Sequence, residues 1–174
     1  MPRALFALDH NYPLPILSAL AEYIPEAELV PLSEIDPRLP LLEDWEVLVA
    51  LRRHPRPWAG LITNDADFLT SPRELAALIQ TGLAVVVAEA AGHDPIKATG
   101  LLLTHLQSVC RRLDRGRSQI WRLTAAERRP DDPRAVFAGV AKRRKRSVDD
   151  LYSEHKLSRD ELETNPLSEE LPRE

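Results

Sequence analysis

The sequence has a single cysteine, no long apolar run and no excess of positive charge. One cysteine cannot form an internal disulfide framework or a cysteine-based zinc site. No stretch approaches the roughly 18–20 apolar residues that span a membrane. The apolar start, residues 4–8, is too short for a signal peptide. These absences lead us to expect a soluble, cytoplasmic protein with no membrane partner.

The chain has 174 residues, of which 44% are hydrophobic, and this proportion is enough to form a hydrophobic core. Its net charge of −4 argues against a uniformly basic nucleic-acid-binding protein. The charges near the C-terminus are sorted into blocks, with a basic run at 142–146 and an acidic stretch at 149–174. Any contact with nucleic acid would therefore be local or bridged by cations.

Short apolar segments alternate with helical patterns from residue 4 to residue 123. The segments that predict strands are 4–8, 28–32, 59–63, 83–88 and 120–123. The segments that predict helices are 13–23, 42–53, 71–81 and 94–115. Pro31 places the second strand near an edge, and Ser71 with Glu74 predicts a capping box. This alternation predicts an α/β fold, with a central parallel sheet of about five strands flanked by helices.

The domain is predicted to cover residues 1–126. Residues 127–174 form a charged extension that has too few apolar residues to fold alone, and we expect it to be a flexible C-terminal tail. Short helices near 135–142 and 147–155 are expected only if this segment docks on another surface.

Acidic residues follow the strands at one edge of the predicted sheet. In a parallel sheet, ligands bind beyond the carboxyl ends of the strands. Asp9 follows the first strand, and Asp65 and Asp67 follow the third. Asp44 and Glu46 flank the apolar stripe in the first turn of the second helix. Three separate segments should therefore bring carboxylates to one edge.

Carboxylates that crowd together repel one another unless a cation neutralises them. Mg²⁺ or Mn²⁺ suits such oxygen ligands, and the ion can activate water and stabilise a reacting phosphate. The sequence thus favours a metal-dependent nuclease. The plainer interpretation is that each Asp only forms a turn or caps a helix.

Three motifs at these positions resemble those of a compact group of PIN-domain proteins. Residues 8–13, Leu-Asp-His-Asn-Tyr-Pro, resemble its opening Asp-Glu-Asn-Leu-Pro, and residues 44–47, Asp-Trp-Glu-Val, resemble its Asp-x-Glu-Ile. Residues 63–68, Thr-Asn-Asp-Ala-Asp-Phe, resemble its Thr-x-Asp-x-Asp-Phe, the most specific of the three. The similarity covers roughly residues 3–123. It implies a Rossmann-like PIN fold, metal-dependent endoribonuclease activity, homodimers and frequent service as the toxin of a VapC-type toxin–antitoxin pair.

The resemblance also implies roles for individual residues. The principal metal ligands, and with them the catalytic centre, would be Asp9, Asp44 and Asp65. Asp67 would be a further ligand or would act from the outer shell, and Glu46 would be an alternative to Asp44. Asn11 and Thr63 would position the ligands or the phosphate. His10 departs from the family pattern, which often has an acid there.

Other charged residues have two interpretations each. His93 either faces the substrate or is a loop residue before a helix capped by Asp94. The cluster of Arg111, Arg112, Arg115 and Arg117 either binds RNA phosphates or only complements a helix C-terminus. The basic run 142–146 either holds RNA by charge or is a solvated segment that its acidic neighbours fold back on.

The leading hypothesis is an endoribonuclease that hydrolyses RNA with water as the nucleophile and Mg²⁺ or Mn²⁺ as cofactor. RNA would be its substrate and an antitoxin protein its partner. One alternative is a PIN-like fold that has lost catalysis and serves as a binding or assembly module. A further alternative is a phosphate-transferring receiver-like domain, which the sequence disfavours because it lacks a paired acid near the first strand and a suitable late lysine.

Overall fold

The centre of the molecule is a parallel sheet. A computed structural model describes residues 2–9, 12 and 14–168, with the backbone alone for 14–16. Its strands are β1 (Ala4–Leu8), β2 (Ala27–Pro31), β3 (Gly60–Thr63), β4 (Ala84–Val87) and β5 (Gln119–Arg122). They pair in the order β2-β1-β3-β4-β5, and every neighbouring pair is parallel. The predicted α/β fold is confirmed, and β2 with its Pro31 lies at an edge as expected.

Helices cover both faces of the sheet. The α-helices are α1 (Leu14–Tyr23), α2 (Leu32–Ile35), α3 (Asp44–Arg53), α4 (Pro72–Thr81), α5 (Pro95–Arg112), α6 (Pro133–Arg143), α7 (Val148–His155) and α8 (Arg159–Glu163). Apolar side chains of α1 and α5 form the core on one face, and those of α3, α4, α6 and α7 form the core on the other. In the part of the chain that the structure describes, no helix combines the length and the apolar character needed to cross a membrane.

The strands are apolar throughout because both of their faces are buried. Successive side chains of a strand point to opposite faces. Val85 and Val87 of β4 accordingly pack with α3 and α4, whereas Val86 packs with α1 and α5. Gly60 allows β3 to approach β4 closely, since a Cβ there would collide with the carbonyl oxygen of Ala84.

The start of α4 differs from its sequence-based prediction. Ser71 precedes the helix and Pro72 opens it, but the Ser71 side chain makes no capping hydrogen bond. The predicted capping box is therefore wrong, and Oε2 of Glu74 is buried with no hydrogen-bond partner in the described structure. The helix ends at Gly82, whose φ of 68° favours glycine. Asp94 caps α5 as predicted.

The C-terminal extension is folded over most of its length, whereas its polarity predicted a flexible segment. Five of its apolar side chains are at most 2% exposed and join the core around α3 and α4; they are Phe137, Val140, Ala141, Leu151 and Leu157. The average polarity of the segment did not indicate these buried side chains, because they are few and lie on one side of each element. The helices expected near 135–142 and 147–155 correspond to α6 and α7, and the domain itself is their docking surface. Residues 169–174 of the predicted tail lie outside the described residues.

Arg73 of α4 holds the extension against the domain. Its guanidinium donates to the carbonyl oxygens of His155 and Lys156, at 3.1 and 3.3 Å, and forms an ion pair with Glu161. It also lies over the Trp45 ring, 4.5 Å from the ring centroid. One cation therefore connects α3, α4 and the turn between α7 and α8.

Candidate functional site

A cavity of about 250 Å³ opens at the carboxyl edge of the sheet. Three predicted acids line this acidic cavity: Asp9 after β1, Asp44 at the first residue of α3, and Asp65 after β3. They are far apart in sequence, and the parallel order of β1 and β3 brings their ends to the same edge. The expectation that three segments bring carboxylates together agrees with this geometry.

Thr63 links two of these acids. It is the last residue of β3 and is 1% exposed. Its hydroxyl donates to Oδ2 of Asp9 at 3.1 Å and accepts the backbone N–H of Asp65, also at 3.1 Å. The backbone N–H of Asp9 in turn donates to the carbonyl oxygen of Ile62 at 3.0 Å. The residue predicted to position the ligands therefore contacts both strand-end acids.

Asp44, and not Glu46, is the helix acid that lines the acidic cavity. A carboxylate oxygen of Glu46 accepts the backbone N–H of Glu43 at 3.0 Å, which completes a capping box at the start of α3. Glu46 thus stabilises the helix start. Asp44 is the first residue of the helix, so its position relative to the sheet is fixed by the same cap.

Asp67 does not line the acidic cavity and is exposed. Its backbone N–H donates to Oδ1 of Asp65 at 2.9 Å, at the start of the 3-10 turn Ala66–Thr70. Asp67 therefore helps to orient Asp65 through its backbone. Asn11, predicted to position substrate, lies outside the described residues, and so does His10.

Two further polar residues line the acidic cavity: Asn64, which the sequence analysis did not assign to the site, and His93, for which it left a substrate-facing role open. Asn64 is 4% exposed, and the signal for it was its place between Thr63 and Asp65 in the third motif. His93 is exposed, and its position after the fourth strand was the signal that it could face the substrate. The opposite wall is apolar and comes from α2, the 3-10 turn Leu39–Leu41 and α3.

Glu74 is an acid near the cavity that sequence reasoning assigned only to capping. The pKa of its carboxyl group is raised, and burial is the largest cause. A backbone hydrogen bond and Arg73 oppose this rise, whereas the charges of Glu43 and Asp65 add to it. On the other side of the site, burial raises the pKa of Tyr12, and the charge of Asp9 raises it further. Negative charge is therefore concentrated around this edge of the sheet.

The donor set suits a hydrated divalent ion better than a fully protein-coordinated one. Within the described residues, no three His, Cys, Asp or Glu side chains are grouped closely enough to hold a metal ion by themselves. Mg²⁺ usually keeps several waters and binds through one or two carboxylates plus substrate phosphates. A water occupies about 30 Å³ in the liquid, so the acidic cavity has room for an ion with its waters.

Comparisons with protein-family models, curated proteins and solved structures found no significant match to this chain. The features of this chain that bear on its function are the three sequence motifs and the geometry of the acidic cavity.

Proposed function

We propose that this protein is a metal-dependent endoribonuclease that hydrolyses RNA at the acidic cavity. The observation that carries the proposal is the convergence of Asp9, Asp44 and Asp65 on one cavity at the carboxyl edge of the sheet. Acids that served only to form turns or to cap helices would have no reason to lie around the same cavity. The resemblance of the motifs to those of PIN-domain nucleases supports the same function.

Asp9, Asp44 and Asp65 would hold Mg²⁺ or Mn²⁺ together with the waters that the ion keeps. When bound, such an ion supplies a Lewis acid that lowers the pKa of a coordinated water and neutralises phosphate charge. Thr63 keeps the Asp9 carboxylate in place through its hydroxyl, and the Asp67 backbone does the same for Asp65. His93 is exposed among the lining residues and would contact the phosphate of the RNA.

The resemblance adds two partners to the proposal. An antitoxin protein would neutralise the nuclease, and two copies of the chain would form a homodimer. Both remain predictions. Light scattering of the purified protein checks the homodimer, because a mass close to 19.6 kDa would indicate a monomer.

The test is cleavage of a mixed RNA pool with Mg²⁺, with Mn²⁺ and with EDTA. We expect the wild type to cleave only with metal, and Asp9→Asn and Asp65→Asn to lose cleavage by at least two orders of magnitude. Asp114→Asn is the matched control, because it removes the same charge from an exposed turn that begins two residues after α5. No cleavage of any RNA, with no rise in melting temperature on adding metal, would favour the binding-module alternative.

A further inference from the structure

The basic run Lys142–Arg146, here called the basic turn, connects α6 to α7. All of its side chains are exposed. Arg146 pairs with Glu154 at 2.7 Å. Arg146 lowers the pKa of Glu154 through this hydrogen bond, and the charge of Arg144 contributes to the shift. Arg146 is therefore compensated within the protein by an ion pair, whereas Arg144 acts on the same carboxylate without forming one.

The other three cations of the basic turn are not compensated in this way. In the described part of the chain, the side chains of Lys142, Arg143 and Lys145 make neither an ion pair nor a hydrogen bond to another residue. Their charges are available to a partner in solution. The chain as a whole has a net charge of −4, so this local concentration of positive charge is a surface that attracts an anionic partner.

The path of the chain indicates that α6 leads toward the carboxyl edge of the sheet. Asp131 forms an antiparallel bridge with Ile120 of β5, so the chain is heading away from the carboxyl edge just before α6 begins. α6 then contacts the 3-10 turn Ala66–Thr70, which directly follows Asp65 at that edge. With 11 residues it is about 16 Å long, so these two placements indicate that it runs back along the sheet toward that edge.

The other basic cluster lies at the opposite edge, and most of it is occupied. Arg115, three residues after the end of α5, donates to the carbonyl oxygen of Pro2, the second residue before β1. Arg111 pairs with Glu26 at 3.3 Å, and Arg112 pairs with Glu127 at 3.1 Å. This cluster therefore holds the fold together at the amino edge.

We propose that Lys142, Arg143 and Lys145 bind the phosphate backbone of single-stranded RNA and hold it beside the acidic cavity. The inference rests on the proposed function and adds to it the residues that recognise the substrate. A cavity lined by carboxylates repels a polyanion, and neighbouring cations at the same edge offset that repulsion. Contacts of this kind carry little sequence preference and weaken as salt rises.

The test compares two triple variants that remove equal charge. The first is Lys142→Gln, Arg143→Gln and Lys145→Asn; asparagine suits the φ of 55° at Lys145. The control is Arg52→Gln, Arg53→Gln and Arg117→Gln, which changes exposed arginines at the amino edge. Binding of a fluorescent single-stranded RNA is measured against salt, with Asp65→Asn added to every protein so that the RNA stays intact.

Each phosphate contact on a single strand contributes about 0.7 to the slope of log K against log salt. The magnitude of this slope should be about 2 smaller for the basic-turn variant than for the parent protein. Between 50 and 200 mM salt, the affinity of the parent should therefore fall by a factor roughly 20 times larger than that of the variant. The control should keep the slope of the parent. With Asp65 restored, the basic-turn variant should cleave RNA with a higher KM and an unchanged kcat.

Equal slopes for the two variants would overturn the inference. If the wild type still cleaves RNA in that case, the proposed nuclease stands and only the substrate path is wrong. If the wild type neither binds nor cleaves RNA, both proposals fail. Circular dichroism melting of both triple variants confirms that the comparison is between folded proteins.

Discussion

The Thr63 hydroxyl donates to the Asp9 carboxylate at 3.1 Å and so connects the carboxyl ends of β3 and β1. The same oxygen accepts the backbone N–H of Asp65. A buried threonine, 1% exposed, thereby fixes the distance between two of the acids that line the acidic cavity. Orientation of ligands by such outer hydrogen bonds is a common requirement of metal sites.

Replacing Thr63 with valine should weaken Mn²⁺ binding by about 10- to 100-fold. Valine keeps the shape and suits a strand, but it leaves the Asp65 N–H and the Asp9 carboxylate without this partner. The lost hydrogen bonds should also lower the free energy of unfolding by about 1–3 kcal/mol. Titration calorimetry with Mn²⁺ and urea unfolding measure the two effects. Thr63→Ser is the control, since it retains the hydroxyl; equal Mn²⁺ affinity in all three proteins would contradict the role.

Asp44→Asn should abolish RNA cleavage, whereas Glu46→Gln should leave it within about twofold. Asp44 lines the acidic cavity, and Glu46 accepts the N–H of Glu43 in the cap of α3. A glutamine at 46 can still accept that hydrogen bond, so the free energy of unfolding should change by less than the cost of losing a cap, about 1 kcal/mol. Single-turnover cleavage rates separate the two, and a larger loss for Glu46→Gln would make Glu46 the ligand.

Glu74→Gln should stabilise the protein at neutral pH. Burial raises the folded-state pKa of this carboxyl group above its usual value of 4.5, with Glu43 and Asp65 among the charges that add to the shift. The charged form is therefore disfavoured in the folded state, so the contribution of Glu74 to stability is lost as pH rises through the folded pKa. Removing the charge should raise the melting temperature at pH 7 and have no such effect below pH 4.5.

Melting curves at several pH values check this expectation. Glu163→Gln serves as a control on the exposed side of α8, where the carboxylate pairs with Arg159 at 2.7 Å. A stabilisation that is the same at low and neutral pH would show that packing, not charge, is responsible.

The sequence was sufficient to predict the sheet and three of the acids around the acidic cavity. The buried strands are continuous apolar runs such as residues 84–87, and their order along the chain implied a common edge for Asp9 and Asp65. The choice between Asp44 and Glu46 depended on where each side chain turns within one helical turn, which spacing alone does not determine.

The folded extension was the main difference, because a segment can be polar on average and still bury a few well-placed side chains. Residues 133–163 dock through isolated apolar residues and through backbone carbonyls that accept hydrogen bonds from Arg73. Neither feature changes the overall amino-acid composition of the segment, so composition alone could not predict that it docks. The position of the basic turn followed from the direction of α6, which only the three-dimensional path reveals.

Leu151→Ala should destabilise the whole domain, since Leu151 is 1% exposed and packs in the same core as α3 and α4. Truncating a buried leucine costs about 2–5 kcal/mol, which corresponds to a melting temperature roughly 5–15 °C lower in a chain of this size. Val148→Ala on the same helix is the control, because Val148 is 44% exposed and its truncation leaves no cavity. If both variants melted with the wild type, α7 would not contribute to the stability of the core. A single transition at a lower temperature for Leu151→Ala alone would show that the extension and the sheet unfold as one unit.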